Sequence, residues 1–103
     1  MIQIDKKNYE LRYSLKRLEM IETALGGSVM DILVKTNGAL GLRHVQTFYA
    51  YGLYGEDDVY CPVQKGMDEA EKALTDPERG YQHMVMAVVT AIQRDCPFLF
   101  PSA

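Results

Sequence analysis

Cysteine is scarce in this sequence, and its scarcity excludes several kinds of site. The two cysteines, Cys61 and Cys96, are too far apart for the Cys-x-x-Cys pattern of redox and zinc motifs. Each is followed by a proline, and neither lies in a nucleophile signature. We therefore expect two free thiols in a protein of a reducing compartment, with a disulfide between them as the open alternative.

The sequence also lacks long apolar runs and any excess of positive charge. No run approaches the ~20 apolar residues that span a bilayer, and the opening MIQIDKKNYE turns polar too early for a signal peptide. With 11 Lys and Arg against 14 Asp and Glu, the net charge is −3. The cations are too scattered to neutralise a row of phosphates. We expect a cytoplasmic protein that binds neither membranes nor nucleic acids.

Residues that could form a catalytic or metal site are few and poorly spaced. His44 and His83 have no Cys, Asp or Glu four residues away, the separation that places two side chains on one helical face. Glu56, Asp57 and Asp58 are consecutive, whereas a calcium loop of the EF-hand type needs alternate acids and a glycine at its sixth position. The glycines do not form a phosphate loop. We expect no enzymatic activity, no metal and no cofactor.

What the sequence does contain is two periodicities. Residues 1–13 alternate apolar and polar side chains around a turn-forming Asp-Lys-Lys-Asn, which predicts a β-hairpin. The later spacing is helical, so the fold class is mainly α, with an N-terminal β-hairpin followed by four or five helices (α+β by strict count). We expect one compact domain over 1–96, of which 14–96 is helical, and an apolar tail over 97–103. The predicted helices run over 15–25, from Ser28 to Asn37-Gly38, from Ala39 or Leu42 to Leu53, over 64–74, and from Pro77 to about Asp95.

Capping residues predict several of these helix ends. Ser14 is the expected N-cap of the first helix, and Gly26 is part of its left-handed stop. Ser28 begins a sequence that resembles a capping box. Asp76 is the expected N-cap of the last helix, with Pro77 at its first position.

The stretch FYAYGLYGEDD, residues 48–58, is predicted to be a helix end followed by a loop. Gly55 is the expected left-handed cap. The acids that follow would lie at the negative end of the helix dipole, which costs ~0.3–1 kcal/mol unless a basic partner lies opposite them. The predicted buried side comprises Val45, Phe48, Tyr49 and Gly52, with Gly52 as a close-packing point, and the other side comprises Tyr51 and Tyr54.

The tail PFLFPSA carries three large apolar side chains outside the predicted helices. Phe98, Leu99 and Phe100 stand between Pro97 and Pro101 and cannot easily continue a helix. Leaving such side chains in water costs up to ~1.5–3 kcal/mol each. The tail is therefore expected either to fold back on its own domain or to dock on another chain.

The order of these elements resembles that of the small phage tail assembly chaperones, a family shared by long-tailed phages, prophages and gene transfer agents. The resemblance begins with YELRYSLKRLEMIETALGGSVMDIL and includes YAYGLYGEDD, which looks like the family's aromatic Gly-Leu step before an acidic turn. It covers about 1–96, whereas the PFLFP tail does not match the family pattern. The matching positions are Tyr9, Leu11 and Arg12, then Leu18, Ile21 and Glu22, then Leu25-Gly26.

The resemblance implies a non-enzymatic assembly factor that is made in the bacterial cytoplasm and is absent from the mature virion. Such proteins are mostly helical, associate with themselves, and keep the tape measure protein soluble while tail tube subunits polymerise around it. The implied partners are the tape measure protein, possibly the tail tube protein, and further copies of this chain. A helical partner docks by placing its apolar face in a groove lined by adaptable apolar residues. The candidate partner-binding residues are therefore Tyr51, Tyr54, Met84, Phe98, Leu99 and Phe100.

Two other functions remain open on the sequence. One is a structural head–tail connector or tail-completion protein, which would stay in the virion. The other is a small helical regulator that binds protein or DNA, although the net charge of −3 argues against DNA.

Overall fold

The computed structural model describes residues 2–35 and 40–100. The mainly α class with an N-terminal hairpin is confirmed, and the chain adds one strand that the sequence did not predict. The predicted stop at Asn37-Gly38 and the residues after Phe100 lie outside the described residues. The elements are β1 (Ile2–Ile4), β2 (Lys7–Leu11), α1 (Leu15–Leu25), α2 (Val29–Lys35), α3 (Leu42–Gly52), β3 (Leu53–Gly55), α4 (Val63–Leu74), α5 (Gly80–Asp95) and a single 3-10 turn (Pro97–Leu99).

The N-terminal hairpin has a two-residue turn. Strands β1 and β2 pair antiparallel, with Ile2 opposite Tyr9 and Ile4 opposite Lys7. Between them Asp5 and Lys6 have φ values of 51° and 66°. Two successive left-handed residues are typical of a type I′ turn, whose twist matches that of the strands it joins.

Strand β3 corrects the prediction that Gly55 is a left-handed helix cap. Helix α3 ends at Gly52 because Leu53 adopts an extended conformation, with ψ 107°. The chain then pairs antiparallel with β2, placing Leu53 opposite Leu11 and Gly55 opposite Tyr9. The edge of β2 that does not face β1 thereby gains backbone hydrogen bonds to β3. Local sequence patterns do not reveal this pairing.

The ends of α1 confirm the predicted caps. Ser14 Oγ accepts a hydrogen bond from the Arg17 N–H at 3.1 Å, and Gly26 has φ 70° with its N–H donating to the Glu22 carbonyl. The Glu22 carboxylate also accepts from the Val29 N–H at 2.7 Å and so caps the next helix. Ser28 Oγ accepts from the Asp31 N–H at 3.2 Å, as the predicted capping box requires.

The start of α5 differs from the prediction. Asp76 Oδ1 accepts from the N–H groups of Glu78 and Arg79, so it caps a turn over 77–79 and not the helix itself. Gly80 has φ 65°, a left-handed conformation that interrupts the helical path and delays α5 to Gly80.

Helix α3 lies at the centre of the core and packs against α1, α4 and α5. Its predicted buried side is confirmed, and Thr47 and Ala50 are buried as well. Two glycines allow close approaches to it: Gly52 lies beside the Tyr13 ring, and Gly66 of α4 lies against the Ala50 backbone. Among the described residues, the largest side chains with less than 2% exposure are Phe48, Ile21, Leu40, Leu53, Met84, Ile92, Val45, Val88 and Cys96.

Candidate functional site

The apolar tail lies partly on its own domain. Leu99 and Phe100 are half-buried and pack against the core, whereas Phe98 is 61% exposed. The Leu99 N–H donates to the Cys96 carbonyl and the Phe100 N–H to the Pro97 carbonyl, which forms the 3-10 turn. Of the three predicted tail contacts, Phe98 is the one most accessible to a partner.

The predicted partner-binding role requires Met84 to lie at the surface, but the structure buries it. Its side chain is 1% exposed and belongs to the core, whereas Met86 is 69% exposed. Met84 falls on the same helical stripe as Val88 and Ile92, and Met86 falls about 200° further round the helix. This stripe was visible in the sequence and could have identified Met86 as the outward-facing methionine.

Tyr51 and Tyr54 are half-buried and belong to different elements, α3 and β3. The Tyr54 ring packs edge-to-face on Tyr60, with 4.8 Å between centroids, and its hydroxyl donates to Asp58 at 3.2 Å. Tyr51 lies 5.9 Å from the Arg17 guanidinium, which also lies over Tyr60. The fold thus brings both predicted tyrosines to one cluster with Arg17 and Tyr60, neither of which sequence reasoning singled out.

An apolar groove lies between the hairpin and α5. Its volume is about 470 Å³, within the ~300–1,000 Å³ of typical binding clefts. One wall is a broad face of α5, with Met84 at one margin and Met86 at the other. Side chains of the two strands form the opposite wall. The apolar lining includes Ile2, Leu11, Met84, Met86, Ala87 and Ala91.

Charged side chains surround this groove, and most already have partners. Arg79 Nε lies 3.0 Å from Asp76 Oδ2, and Arg94 Nε lies 2.8 Å from Asp95 Oδ1. His83 and Glu10 also line the groove, together with Tyr9 and Tyr49. Because its cations are paired, the groove is best suited to an apolar ligand surface.

The end of α5 is joined to the segment that links the hairpin to α1. The Tyr13 N–H donates to Asp95 Oδ2 at 2.9 Å, and Arg94 Nη2 donates to the Leu11 carbonyl at 2.6 Å. The Cys96 thiol donates to the Tyr13 carbonyl at 3.7 Å. These contacts hold the hairpin against α5 and so fix the width of the groove.

Asp95 is the central group of this joint. Hydrogen bonds from the Arg94 side chain and the Tyr13 N–H, with the positive charge of Arg12 nearby, hold the pKa of Asp95 below its usual value. Its side chain is only 11% exposed, so solvent screens these interactions little.

Replacing Asp95 by asparagine should lower the free energy of unfolding by about 1–3 kcal/mol at neutral pH, because charge-assisted hydrogen bonds are lost. Since the folded pKa lies below the ~3.9 of an unfolded aspartate, the carboxylate stabilises the fold fully above that value. Its contribution disappears as the pH falls through the folded pKa. The difference in unfolding free energy between wild type and Asp95→Asn should therefore shrink below about pH 4. Urea unfolding monitored by circular dichroism measures it.

Asp31→Asn is the matched control. Asp31 pairs with Lys35 at 3.4 Å, but its side chain is 64% exposed, and such pairs contribute less than about 1 kcal/mol. Equal deficits for the two variants, or a deficit of Asp95→Asn that persists unchanged in acid, would contradict the role assigned to Asp95.

The acidic run after β3 forms a turn, and among the described residues it does not join a group of three or more His, Cys, Asp or Glu side chains that could hold a metal ion. Asp57 pairs with Lys7 of the hairpin, and Asp58 has φ 63°, a left-handed conformation that aspartate tolerates. Because β3 separates these acids from the end of α3, they do not lie at its C-terminus. The expected conflict with the helix dipole is thus absent, and a basic partner faces Asp57.

Within 2–35 and 40–100, no histidine or cysteine belongs to a group of three or more His, Cys, Asp or Glu side chains that could hold a metal ion. His83 is exposed, and His44 is half-buried with no hydrogen-bond partner for Nδ1 among the described residues. Cys61 and Cys96 are free and buried, as expected for unpaired thiols. Burial raises the pKa of both thiols, which keeps them protonated and unreactive.

In the described parts of the chain, no helix is both long and apolar enough to cross a membrane. Comparison with known protein families, with curated proteins and with solved structures finds no match to this chain.

Proposed function

We propose that the protein is a non-enzymatic tail assembly chaperone of a phage or prophage that keeps the tape measure protein soluble during tail tube assembly. The observation that carries the proposal is the apolar groove between the hairpin and α5, with the exposed Met86 at its edge. The two strands of the opening that carries the sequence resemblance form one side of this groove, through Ile2, Tyr9, Glu10 and Leu11. Self-association and absence from the mature virion belong to the same proposal.

The chemistry of the groove fits the requirement of such a partner. A tape measure protein exposes long apolar helices until the tube closes round it, and an amphipathic helix binds by placing its apolar face in a groove. Methionine adapts to irregular ligand surfaces because its side chain is unbranched and polarizable. Phe98, 61% exposed on the C-terminal turn, is a second apolar residue available to the same partner.

The test is co-expression with the neighbouring tape measure gene, using Met86→Glu as the disruptive variant. A carboxylate placed against an apolar helix is desolvated without a partner, so the co-purified tape measure protein should fall by about tenfold or more. Leu42→Glu is the control: Leu42 is 65% exposed at the start of α3 and outside the groove, and an acid at a helix N-terminus is tolerated.

Wild type and Leu42→Glu should both keep the partner in the soluble fraction. A tape measure protein that stays insoluble with wild type, or equal recovery with all three proteins, would contradict the proposal. Mass spectrometry of purified virions separates it from a structural connector, because a chaperone should be missing from them.

A further inference from the structure

Arg17 stands apart from the other arginines because it stacks on aromatic rings and pairs with no carboxylate among the described residues. Its guanidinium carbon lies 3.6 Å from the Tyr60 ring centroid and 5.9 Å from that of Tyr51. Arg12, Arg79 and Arg94 each pair with an Asp or Glu within 4.0 Å. Its positive charge is therefore not neutralised by any described side chain.

The aromatic surface beneath Arg17 is held from several sides. The Tyr60 hydroxyl donates to the Arg12 carbonyl at 3.2 Å, and Tyr54 packs against the Tyr60 ring at 4.8 Å. Tyr54 and Tyr60 also form a backbone bridge that extends the sheet edge. A guanidinium stacked on a fixed ring is pre-organised, so less side-chain entropy is lost when it binds a ligand.

Most of the donors of Arg17 are unused. Guanidinium carries five N–H donors, and the hydrogen bond from Nη1 to the Met20 sulfur, at 3.6 Å, engages a weak acceptor. Lys16 is exposed and forms no ion pair in the described parts of the chain, and Met20 is 36% exposed. The resulting patch combines two unpaired cations with apolar and aromatic surface.

We propose that this patch, formed by Lys16, Arg17, Met20, Tyr51 and Tyr60, binds an acidic amphipathic segment of a partner protein. A carboxylate of that segment accepts two parallel hydrogen bonds from the Arg17 guanidinium, a geometry that the planar fork favours. An apolar side chain one helical turn away packs on Met20 and Tyr51. Charge complementarity supports this occupant, because the patch is cationic on a chain whose net charge is −3. The patch includes neither Met86 nor the groove, so the inference does not depend on the chaperone proposal.

The probe is a synthetic helical peptide of about 15 residues built from Glu, Leu and Ala, with Glu and Leu one turn apart. Its binding to the full chain is followed by backbone amide shifts in NMR titrations up to about 1 mM, the range of weak peptide contacts. We expect shifts concentrated in the first turns of α1 and around Tyr51 and Tyr60. Arg17→Ala should weaken binding about tenfold or more, as loss of a central arginine does at interfaces.

Arg43→Ala is the matched control, because Arg43 is exposed and also lacks an ion pair in the described residues, but no ring lies beneath it. Arg43→Ala removes the same charge as Arg17→Ala. It should leave the affinity for the peptide within about twofold of the wild-type value, because salt screens the effect of a distant charge. Arg17→Lys should restore only part of the affinity, and a peptide with Gln for Glu should bind more weakly.

Three outcomes would overturn the inference: equal weakening by Arg17→Ala and Arg43→Ala, absence of binding to the wild-type chain, or shifts located away from the patch. Tighter binding of a single-stranded oligonucleotide than of the peptide would also overturn it, because aromatic rings with arginine can stack on bases.

Discussion

Replacing Gly52 by alanine should lower the free energy of unfolding by about 3 kcal/mol, the upper range for overpacking a tight core. A β-carbon on Gly52 would lie 2.6 Å from the Tyr13 Cζ and hydroxyl oxygen. For a domain of this size, the loss corresponds to a fall in Tm of about 10–20 °C. Urea and thermal unfolding, monitored by circular dichroism, measure both quantities.

The size of the effect follows from how firmly Tyr13 is held. Its hydroxyl donates to the Phe48 carbonyl at 2.6 Å, and its ring packs edge-on against Phe48 with 6.4 Å between centroids. Burial raises the pKa of Tyr13 well above its usual value, so the hydroxyl remains a neutral donor. Any movement that relieves the clash breaks this hydrogen bond and leaves a buried hydroxyl without its partner, which is why the expected loss lies at the upper end of the overpacking range.

Gly27→Ala is the control for Gly52→Ala. A β-carbon at Gly27 meets nothing within 4 Å, so the substitution should change the unfolding free energy by no more than about 0.5–1 kcal/mol in either direction. A double-mutant cycle with Tyr13→Leu adds a second test. Removing the phenol removes the clash, so the double variant should be more stable than the sum of the two single losses predicts. Additive losses would place the cost of Gly52→Ala elsewhere.

Replacing Gly66 by alanine should also destabilise the fold, by about 1–3 kcal/mol, although helix propensity alone predicts a gain of about 1 kcal/mol. The added carbon would lie 2.9 Å from the Ala50 carbonyl oxygen and 3.0 Å from its Cα. Both atoms belong to the backbone of α3 and cannot rotate away, so α3 and α4 must separate. Urea unfolding gives the sign, which by itself distinguishes close packing from propensity.

Gln64→Ala serves as the control in the same turn of α4. Gln64 is exposed, and its side chain donates one hydrogen bond to Asp68 at 3.2 Å. Gln64→Ala should therefore change the free energy of unfolding by no more than about 0.5 kcal/mol. If Gly66→Ala proves more stable than wild type, α3 and α4 do not approach as closely as the contact with Ala50 requires. Because α4 supplies Ala73 to the wall of the groove, a displaced α4 should also change the shape of the groove on which the proposed function rests.

The helices were predictable because their signals are local. Helix α1 runs over Leu15–Leu25 as expected, since a serine cap, a helical apolar stripe and a glycine stop all act within a few residues of one another. The hairpin followed from period-two alternation and a polar turn. The buried side of α3 was identified correctly as well, because its spacing depends only on the helical repeat.

The features that escaped prediction depend on residues distant in sequence. Strand β3 forms because the backbone of Leu53 meets that of Leu11, and nothing in the LYG sequence indicates that pairing. Pro77 suggested an early start for α5, but the left-handed Gly80 postpones it. The candidate site was predicted in part: Tyr51, Tyr54 and Phe98 are accessible to some degree, Met84 is buried, and Arg17 was missed.

By itself, the sequence determined the fold class, most helix bounds, the absence of Cys-x-x-Cys and EF-hand motifs, and a resemblance that motivates one function. It could do so because periodicity, caps and motif spacing are encoded over short stretches of chain. Only the tertiary structure decided that Tyr13 lies on Gly52, that Asp95 joins α5 to the hairpin, and that Arg17 lies over Tyr60. Each of these contacts joins residues more than thirty positions apart, and such distances are set by how the elements pack and not by any pattern within them.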